Sequence, residues 1–240
     1  MNTTQLMLQN VIALCKEGKE QRAYDIGLAL IQKFPTEEAY LYVVGKIALN
    51  LGSVEEGFVL LQKYHSIQPQ VFDVCLILGD ILLEKNRKKE AIEYYKKAFE
   101  LGTIPAAWDL GVIYLRGREG VKVNEELAFE WMLKAAKSFY MPAEFEVSIM
   151  YLDGTGVAVD EDESTFWLMK AYNNNISSHD ISWNDLVREE LARRYYYGIG
   201  VEKSFKKAKE IDIFYAMELL GDCDINPCSC LLYTSPSPRD

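Results

Sequence analysis

The sequence predicts an all-α fold, an alpha-alpha superhelix (a solenoid) of about six antiparallel helix pairs. Two recurrences along the chain predict it. Small residues and turn residues return every 34 residues in the first part, and a longer motif returns after 37 and then 44 residues in the second. Inside each recurrence, two stretches with the apolar spacing of an amphipathic helix flank a turn. Such recurrence is typical of proteins built from stacked helix pairs.

Three units fill the first part of the chain, at residues 4–37, 38–71 and 72–105. The turn between the two helices of each unit carries a residue that tolerates the left-handed backbone in which many helices end. These residues are Gly18, Gly52 and Asn86. Proline cannot continue a helix, so Pro35 and Pro69 mark the ends of the second helices in units one and two.

The same units carry small residues at fixed places inside both helices. They are Gly45 and Gly79 in the first helices, and Ala23, Gly57 and Ala91 in the second helices. A small side chain lets two helices approach closely, so we expect these positions to face a neighbouring helix. Together with the turn residues and the prolines, they resemble the tetratricopeptide repeat, and the resemblance covers residues 4–105.

A longer unit begins at Ala106. Its first two copies read AAWDLGVIYLRGREGVKVNEELAFEWMLKAA and AEFEVSIMYLDGTGVAVDEDESTFWLMKAY, and a third starts at Val187 without the tryptophan. This pattern resembles the Sel-one-like repeat, a longer relative of the tetratricopeptide unit and also a helix pair. The resemblance covers residues 106–222 as three repeats, the last one incomplete, continuous with the first part. The polar residues 173–185, between the second and third copies, predict a loop.

The motif YLDGTGV at Tyr151–Val157, followed by acidic residues 160–163, raises the question of a calcium or phosphate site. An EF-hand loop needs oxygen ligands at alternating positions before its glycine, and a phosphate-binding turn needs a preceding strand. Neither pattern is present. Instead, a helix-capping residue follows each Gly-Val pair at a fixed distance: Asn124, Asp160 and Ser204. We therefore expect a hinge between two helices, with Glu163 completing a capping box on Asp160.

Residues with catalytic or metal-binding potential stand alone in the sequence. Ser204 begins an S-x-x-K motif, and some members of the Sel-one-like family are labelled β-lactamases, but the partner motifs S-D-N and K-T-G are absent. His65 and His179 are isolated, whereas a metal site needs several ligands. Cys15 and Cys75 fall inside apolar helical patterns, where packing is the expected role. We therefore expect no enzyme, no cofactor and no metal site.

Bulk composition limits the class of partner. The chain has 26 Lys and Arg against 36 Asp and Glu, for a net charge of −10, whereas a general nucleic-acid binder needs a basic face. No apolar run approaches the ~20 residues of a membrane helix, and the first residues, MNTTQLMLQN, lack the basic start of a secretion signal. We therefore expect a cytoplasmic protein that binds neither nucleic acid nor membrane.

The last eleven residues, CLLYTSPSPRD, break the repeat pattern. They resemble the translation of a transposase adapter that is used in sequencing libraries. We therefore expect Cys230–Asp240 to be a non-native tail, and the natural protein to continue past residue 229.

The resemblance to tetratricopeptide repeats implies a groove lined by the first helix of each pair. The groove positions of that family fall here on Tyr42, Lys46, Asn50, Asp73, Asp80 and Glu84, with Trp108 and Arg116 at the like positions of the fourth unit. Such a surface suits a peptide or helix of another protein. The predicted function is a protein–protein interaction scaffold. The alternatives are an enzyme that uses Ser204 and a passive structural or oligomerisation module, and the oligomeric state is open.

Overall fold

Helices joined by short turns make up the computed structural model, which describes residues 3–117, 121–175, 181–213, 215–216 and 219. Within these residues there are twelve helices and no strand, which confirms the predicted all-α fold class. The chain divides into two compact units between Asn124 and Glu125. This boundary lies inside the fourth predicted repeat, so the assignment of residues 4–105 and 106–222 to two repeat types stays a prediction.

The first unit consists of α1 to α7, and each helix packs against the next one along the chain. Their bounds are α1 Thr3–Lys16, α2 Glu20–Lys33, α3 Glu38–Asn50, α4 Val54–Ile67, α5 Phe72–Glu84, α6 Lys88–Glu100 and α7 Ile104–Arg116. As predicted, Gly18, Gly52 and Asn86 take left-handed conformations, with φ of 74°, 81° and 61°. Also as predicted, α2 and α4 end shortly before Pro35 and Pro69.

Glycines at the predicted small positions bring helices of the first unit into close contact. A methyl group on Gly57 of α4 would lie 2.5 Å from the Cδ2 atom of Leu49 and 3.0 Å from the carbonyl oxygen of Gly45 on α3. A methyl group on Gly79 of α5 would lie 3.0 Å from the ring of Tyr95 on α6. These distances are shorter than van der Waals contact, so a larger side chain would push the helices apart. The expectation that these glycines face a neighbouring helix is confirmed.

The apolar interior of the first unit lies between consecutive helices. Its fully buried members include Val44 of α3, Leu61 of α4, Leu78 and Leu82 of α5, and Leu110 of α7. Burying one leucine side chain contributes about 1.5–3 kcal/mol. Because these residues come from successive helices, the apolar interior is continuous along the first unit.

The second unit consists of α8 to α12, again with each helix packed on the next. Their bounds are α8 Glu125–Lys137, α9 Met141–Asp153, α10 Glu161–Asn175, α11 Ile181–Tyr197 and α12 Phe205–Ile211. The prediction of a loop at residues 173–185 is wrong at both ends, since α10 includes the first three residues and α11 the last five. The Nδ2 atom of Asn174 donates to both carboxylate oxygens of the buried Glu144 on α9, at 2.8 and 2.6 Å, which holds the last turn of α10 in place.

The Gly-Val turns close in the same way in each copy. The backbone N–H of the capping residue donates to the carbonyl oxygen of the repeated tyrosine at 2.7 to 3.0 Å, in the pairs Asn124–Tyr114, Asp160–Tyr151 and Ser204–Tyr195. Two caps also use their side chains. The Oδ1 atom of Asp160 accepts the N–H of Glu163 at 2.9 Å, and the Oγ atom of Ser204 accepts the N–H of Lys207 at 3.3 Å. The hinge and these two caps are confirmed. The predicted capping box is not formed, because the backbone N–H of Asp160 donates to the carbonyl oxygen of Tyr151 and not to the side chain of Glu163.

The second glycine of two of these turns also contacts the preceding repeat. A methyl group on Gly156 would lie 2.0 Å from the carbonyl oxygen of Glu125, at the start of α8. A methyl group on Gly200 would lie 2.5 Å from the carbonyl oxygen of Glu161, at the start of α10, and the Gly200 N–H donates to the Glu161 carboxylate at 3.1 Å. From the sequence, these glycines are predicted to act only as hinges between two helices. In the structure, Gly156 and Gly200 also contact the preceding repeat.

A buried arginine joins three helices of the second unit. Arg194 of α11 is 0% exposed and stands at the repeat position that Met150 occupies in α9. Its guanidinium donates to Ser148 Oγ of α9 at 2.9 Å, to Thr165 Oγ1 of α10 at 3.2 Å and to Glu190 Oε1 of α11 at 3.0 Å. A buried charge is tolerated only when it is paired and hydrogen-bonded, and these three acceptors meet that condition.

Phe139 adopts a backbone conformation that bulky residues rarely take. It follows α8 with φ of 62°, at the place where Gly102, with φ of 96°, follows α6. The left-handed region costs a residue with a Cβ atom about 1–2 kcal/mol. The Phe139 ring is 71% exposed, so burial of the ring does not offset that cost.

We expect Phe139→Gly to be more stable than Phe139→Ala by about 1 kcal/mol, because glycine takes the left-handed conformation without the Cβ clash that alanine keeps. Both variants lose the ring, so their difference isolates the backbone. At an ordinary helical position the alanine variant would be the more stable of the two by about 1 kcal/mol, so the sign of the difference reports the backbone conformation at residue 139. Urea unfolding of the two variants measures the difference, and greater stability of Phe139→Ala would contradict the strain.

Candidate partner-binding surface

The eight residues predicted to bind a partner all lie on α3, α5 and α7. We call them the unit-1 stripe: Tyr42, Lys46, Asn50, Asp73, Asp80, Glu84, Trp108 and Arg116. Asn50, Glu84 and Arg116 are the last residues of these three helices, and all three are exposed. A helix ends with partial negative charge, which suits Arg116 and opposes Glu84. A cation beside Glu84 would relieve that opposition.

Tyr42, Lys46 and Asp73 form one surface cluster, although they come from two helices. The hydroxyl of Tyr42 on α3 donates to Oδ2 of Asp73 on α5 at 2.5 Å, and the ammonium of Lys46 donates to the Tyr42 hydroxyl at 3.2 Å. The ring of Tyr64 lies 5.3 Å from the ring of Tyr42. The ion pair of Lys46 with Asp73, at 3.6 Å, is largely exposed and contributes little stability. The cluster therefore orients the Tyr42 ring more than it stabilises the fold.

The second feature of the unit-1 stripe is a pair of interacting carboxylates. Asp80 of the stripe lies on α5, and Asp109, which is not part of the stripe, lies on α7. Asp80 is exposed and accepts a hydrogen bond from the hydroxyl of the buried Tyr95 at 2.7 Å. Asp109 is half-buried, and burial together with the negative charge of Asp80 raises its pKa to about 7. A cation placed beside this pair would be attracted to both groups and would lower the pKa of Asp109.

Asp109 was missed by the sequence prediction, although the sequence contains a signal for it. Ala106, Asp109 and Ile113 are spaced as one helix face, and the first and third are buried. A carboxylate on an apolar face therefore has a perturbed environment by its position alone. The neighbouring Trp108 is half-buried, so only part of its side chain is offered to a partner.

The candidate catalytic pair is engaged in structural contacts. Ser204 caps α12 through its Oγ atom, and the ammonium of Lys207 lies over the ring of Tyr195, 5.1 Å from the ring centre. A serine nucleophile needs a base within hydrogen-bond reach of its oxygen. Here the serine oxygen and the lysine nitrogen are turned to other partners.

His65 packs inside the first unit, with its Nδ1 atom 3.8 Å from the sulfur of Cys75 and its ring 5.3 Å from that of Tyr94. Burial, with a smaller effect of Lys97, lowers the pKa of His65. His179 lies outside the described residues. Among the residues that the structure describes, no group of three or more His, Cys, Asp or Glu side chains could hold a metal ion. No helix in the same part of the chain is long and apolar enough to cross a membrane.

A known repeat family matches the helix pairs. The Sel1 repeat matches residues 74–103, 104–138, 142–176 and 189–210, which together make up about half of the chain. The chain belongs to the Sel1 repeat family. The first of the four Sel1 matches falls on the unit that resembles a third tetratricopeptide repeat, and the tetratricopeptide assignment of that unit stays a prediction.

Individual proteins are also similar to this chain. Chitin synthase regulatory factor 3 of Schizosaccharomyces pombe is 34% identical over 90 residues, which are 37% of this chain, and the chain spans 9% of that relative's length. A Sel1 repeat protein from Oxalobacter formigenes is 22% identical, with a TM-score of 0.62 over 76% of this chain and 75% of that one. The C-terminal part of a tetratricopeptide repeat-containing protein from Cytophaga hutchinsonii is 15% identical, with a TM-score of 0.60 over 90% and 80%. The two structures show the shared helical-repeat fold.

We expect Asp109→Asn to be more stable than the wild type at about pH 8, and the gain to shrink towards about pH 5. The folded-state pKa of Asp109 is about 7, whereas an unfolded aspartate titrates near ~3.9. Between these values the folded chain binds the proton more tightly, so the contribution of Asp109 to stability falls as the pH rises and stays unfavourable above about pH 7.

Urea unfolding of wild type and Asp109→Asn at both pH values measures this effect. Glu100→Gln, at an exposed carboxylate that ends α6, serves as the control for removal of a surface charge, and its change in stability between the two pH values is expected to be the smaller one. A gain of Asp109→Asn that is the same at the two pH values would contradict the raised pKa.

Proposed function

We propose that this Sel1-repeat chain is a binding scaffold, and that the unit-1 stripe receives a peptide or helix of a partner protein. Repeat proteins of this kind generally serve as protein–protein interaction scaffolds. The described chain consists of helix pairs, and two of the candidate residues within it, Ser204 and His65, are engaged in a cap and in packing. A surface for another protein is therefore the function that best accounts for the side chains that remain exposed.

The hydrogen bond from Tyr42 to Asp73 is the observation that supports this surface most directly. It links the first helices of two consecutive pairs, so side chains from α3 and α5 present one continuous surface. Its aromatic ring and its polar groups stay partly exposed. Tyrosine at such a position offers a large contact area with little loss of conformational freedom on binding, which is why it is enriched at interfaces.

The charges of the unit-1 stripe favour a partner segment with Lys or Arg. Three acidic residues of the stripe, Asp73, Asp80 and Glu84, lie on α5, and Asp109 borders them. Of the two basic residues, Lys46 is already paired with Asp73. A basic side chain beside α5 would compensate the Asp80 and Asp109 charges and the unfavourable helix-end position of Glu84.

A comparison of captured proteins tests the proposal. We expect a subset of the proteins that bind the wild type to bind Tyr42→Ala/Glu84→Lys at least about tenfold more weakly, since the anchor ring and an acidic contact are both lost. Glu100→Lys is the matched control, because Glu100 ends α6 as Glu84 ends α5 and is equally exposed. It is expected to retain those proteins.

Quantitative mass spectrometry of proteins captured on the three chains, with circular dichroism to verify folding, provides the measurement. If every specific partner binds all three chains equally, the assignment of the unit-1 stripe is wrong. If none of the three captures a specific partner, the chain is a passive structural module instead.

A further inference from the structure

A second exposed surface lies in the other unit, on the second helices of the pairs. The side chains of Phe139, after α8, and Phe166, on α10, are 71% and 52% exposed. The ammonium of Lys170 lies 5.5 Å from the centre of each of these two rings. Single exposed aromatic residues are ordinary on a soluble protein, but two that share one cation form a patch.

Lysines held over tryptophans repeat on two helices of this unit. The Lys170 ammonium is 4.4 Å from the ring centre of Trp167, and the Lys134 ammonium is 3.7 Å from that of Trp131. The two pairs occupy corresponding repeat positions on α10 and α8. Attraction between the cation and the ring face holds each ammonium at the surface. A side chain held in this way loses less freedom when it pairs with a carboxylate.

Two lysines give this surface positive charges that can bind an anion, although the chain as a whole carries a net charge of −10. Lys134, Lys137 and Lys170 take part in none of the ion pairs formed by the described residues. Glu144, whose charge interacts with Lys170, is buried and its carboxylate is held by Asn174. The ammonium groups of Lys134 and Lys170 can therefore pair with carboxylates of another molecule.

The strained backbone at Phe139 is a separate observation on the same patch. Glycine would suit the left-handed conformation, as it does at Gly102, yet a phenylalanine with a mostly exposed ring stands here. Such strain is often retained where the side chain has a use beyond folding. The use that the position of the ring offers is contact with a partner.

We propose that this surface, the unit-2 patch of Phe139, Phe166, Lys134 and Lys170, binds a protein segment in which an aromatic or aliphatic side chain is flanked by Asp or Glu. The apolar side chain packs against the two exposed rings, and the flanking carboxylates pair with the lysines. The inference stands apart from the unit-1 stripe, whose acidic α5 favours a partner of opposite charge.

Two other occupants are less compatible with the patch. A second copy that docked patch to patch would bring the like-charged lysines of the two chains together, which opposes such a symmetric dimer. Surfaces that bind acidic lipid typically gather about 4–8 basic residues, and this patch offers fewer. An acidic and apolar protein segment satisfies both the rings and the lysines.

Subtractive selection from a peptide-display library tests the proposal. The library is selected on the full-length chain, and each bound peptide is then measured on wild type, on Phe139→Gly/Lys170→Glu and on Lys209→Glu. Glycine suits the backbone at residue 139, and circular dichroism checks that Lys170→Glu, which adds a negative charge near the buried Glu144, leaves the double variant folded. Lys209 is an exposed lysine of α12, and its substitution by glutamate is the control with the same charge change as Lys170→Glu.

The expected result is a class of peptides with an aromatic or aliphatic residue between acidic ones. These peptides bind wild type and Lys209→Glu alike and bind the double variant at least about tenfold more weakly. Failure to select such a class, or equal binding to the double variant, would overturn the proposal. So would binding of wild type, but not of the double variant, to phosphatidylserine vesicles in place of peptides, or a wild-type dimer that the double variant cannot form. None of these outcomes depends on the unit-1 stripe.

Discussion

Helices of the first unit come into close contact where a glycine stands between them. In the first unit, a methyl group on Gly27 would lie 2.4 Å from Val44, and one on Gly57 would lie 2.5 Å from Leu49. An isolated pair of helices of about 13 residues is marginal in water, so each pair depends on the apolar surface that its neighbour covers. The spacing at these contacts therefore decides whether the larger core residues can meet.

The same stacking determines which side chains are left for a partner. Tyr42 and Asp73 belong to different helix pairs and meet because α3 and α5 are brought side by side. Phe139 and Lys170 likewise come from consecutive repeats of the second unit. Neither surface exists in a single repeat, so binding through either one depends on the stacked fold. Side chains at these positions are also largely outside the core, which leaves them free to differ without loss of the fold.

Local features of the fold were predictable from the sequence because each depends on a few adjacent residues. Turn residues such as Asn86 and caps such as Asp160 act through their own backbone or an amide three positions away. The contact of Gly156 with Glu125, the burial of Arg194 and the raised pKa of Asp109 depend on distances between helices, which no single unit specifies. The predicted residues of the unit-1 stripe were found on three helices as expected, whereas their grouping into the Tyr42 cluster required the structure.

The stability of Gly57→Ala tests the close stacking of helices most directly. Gly57 lies near the start of α4, where this helix packs against α3. A methyl group on Gly57 would contact Leu49 and the backbone of Gly45. If the contact is as close as described, Gly57→Ala lowers the free energy of unfolding by about 1–3 kcal/mol. The same substitution costs less in a chain that already carries Leu49→Ala, because the clashing side chain is then absent. Helix propensity alone would raise the stability by about 1 kcal/mol. Urea unfolding that shows Gly57→Ala to be as stable as wild type, or more stable, would contradict the account.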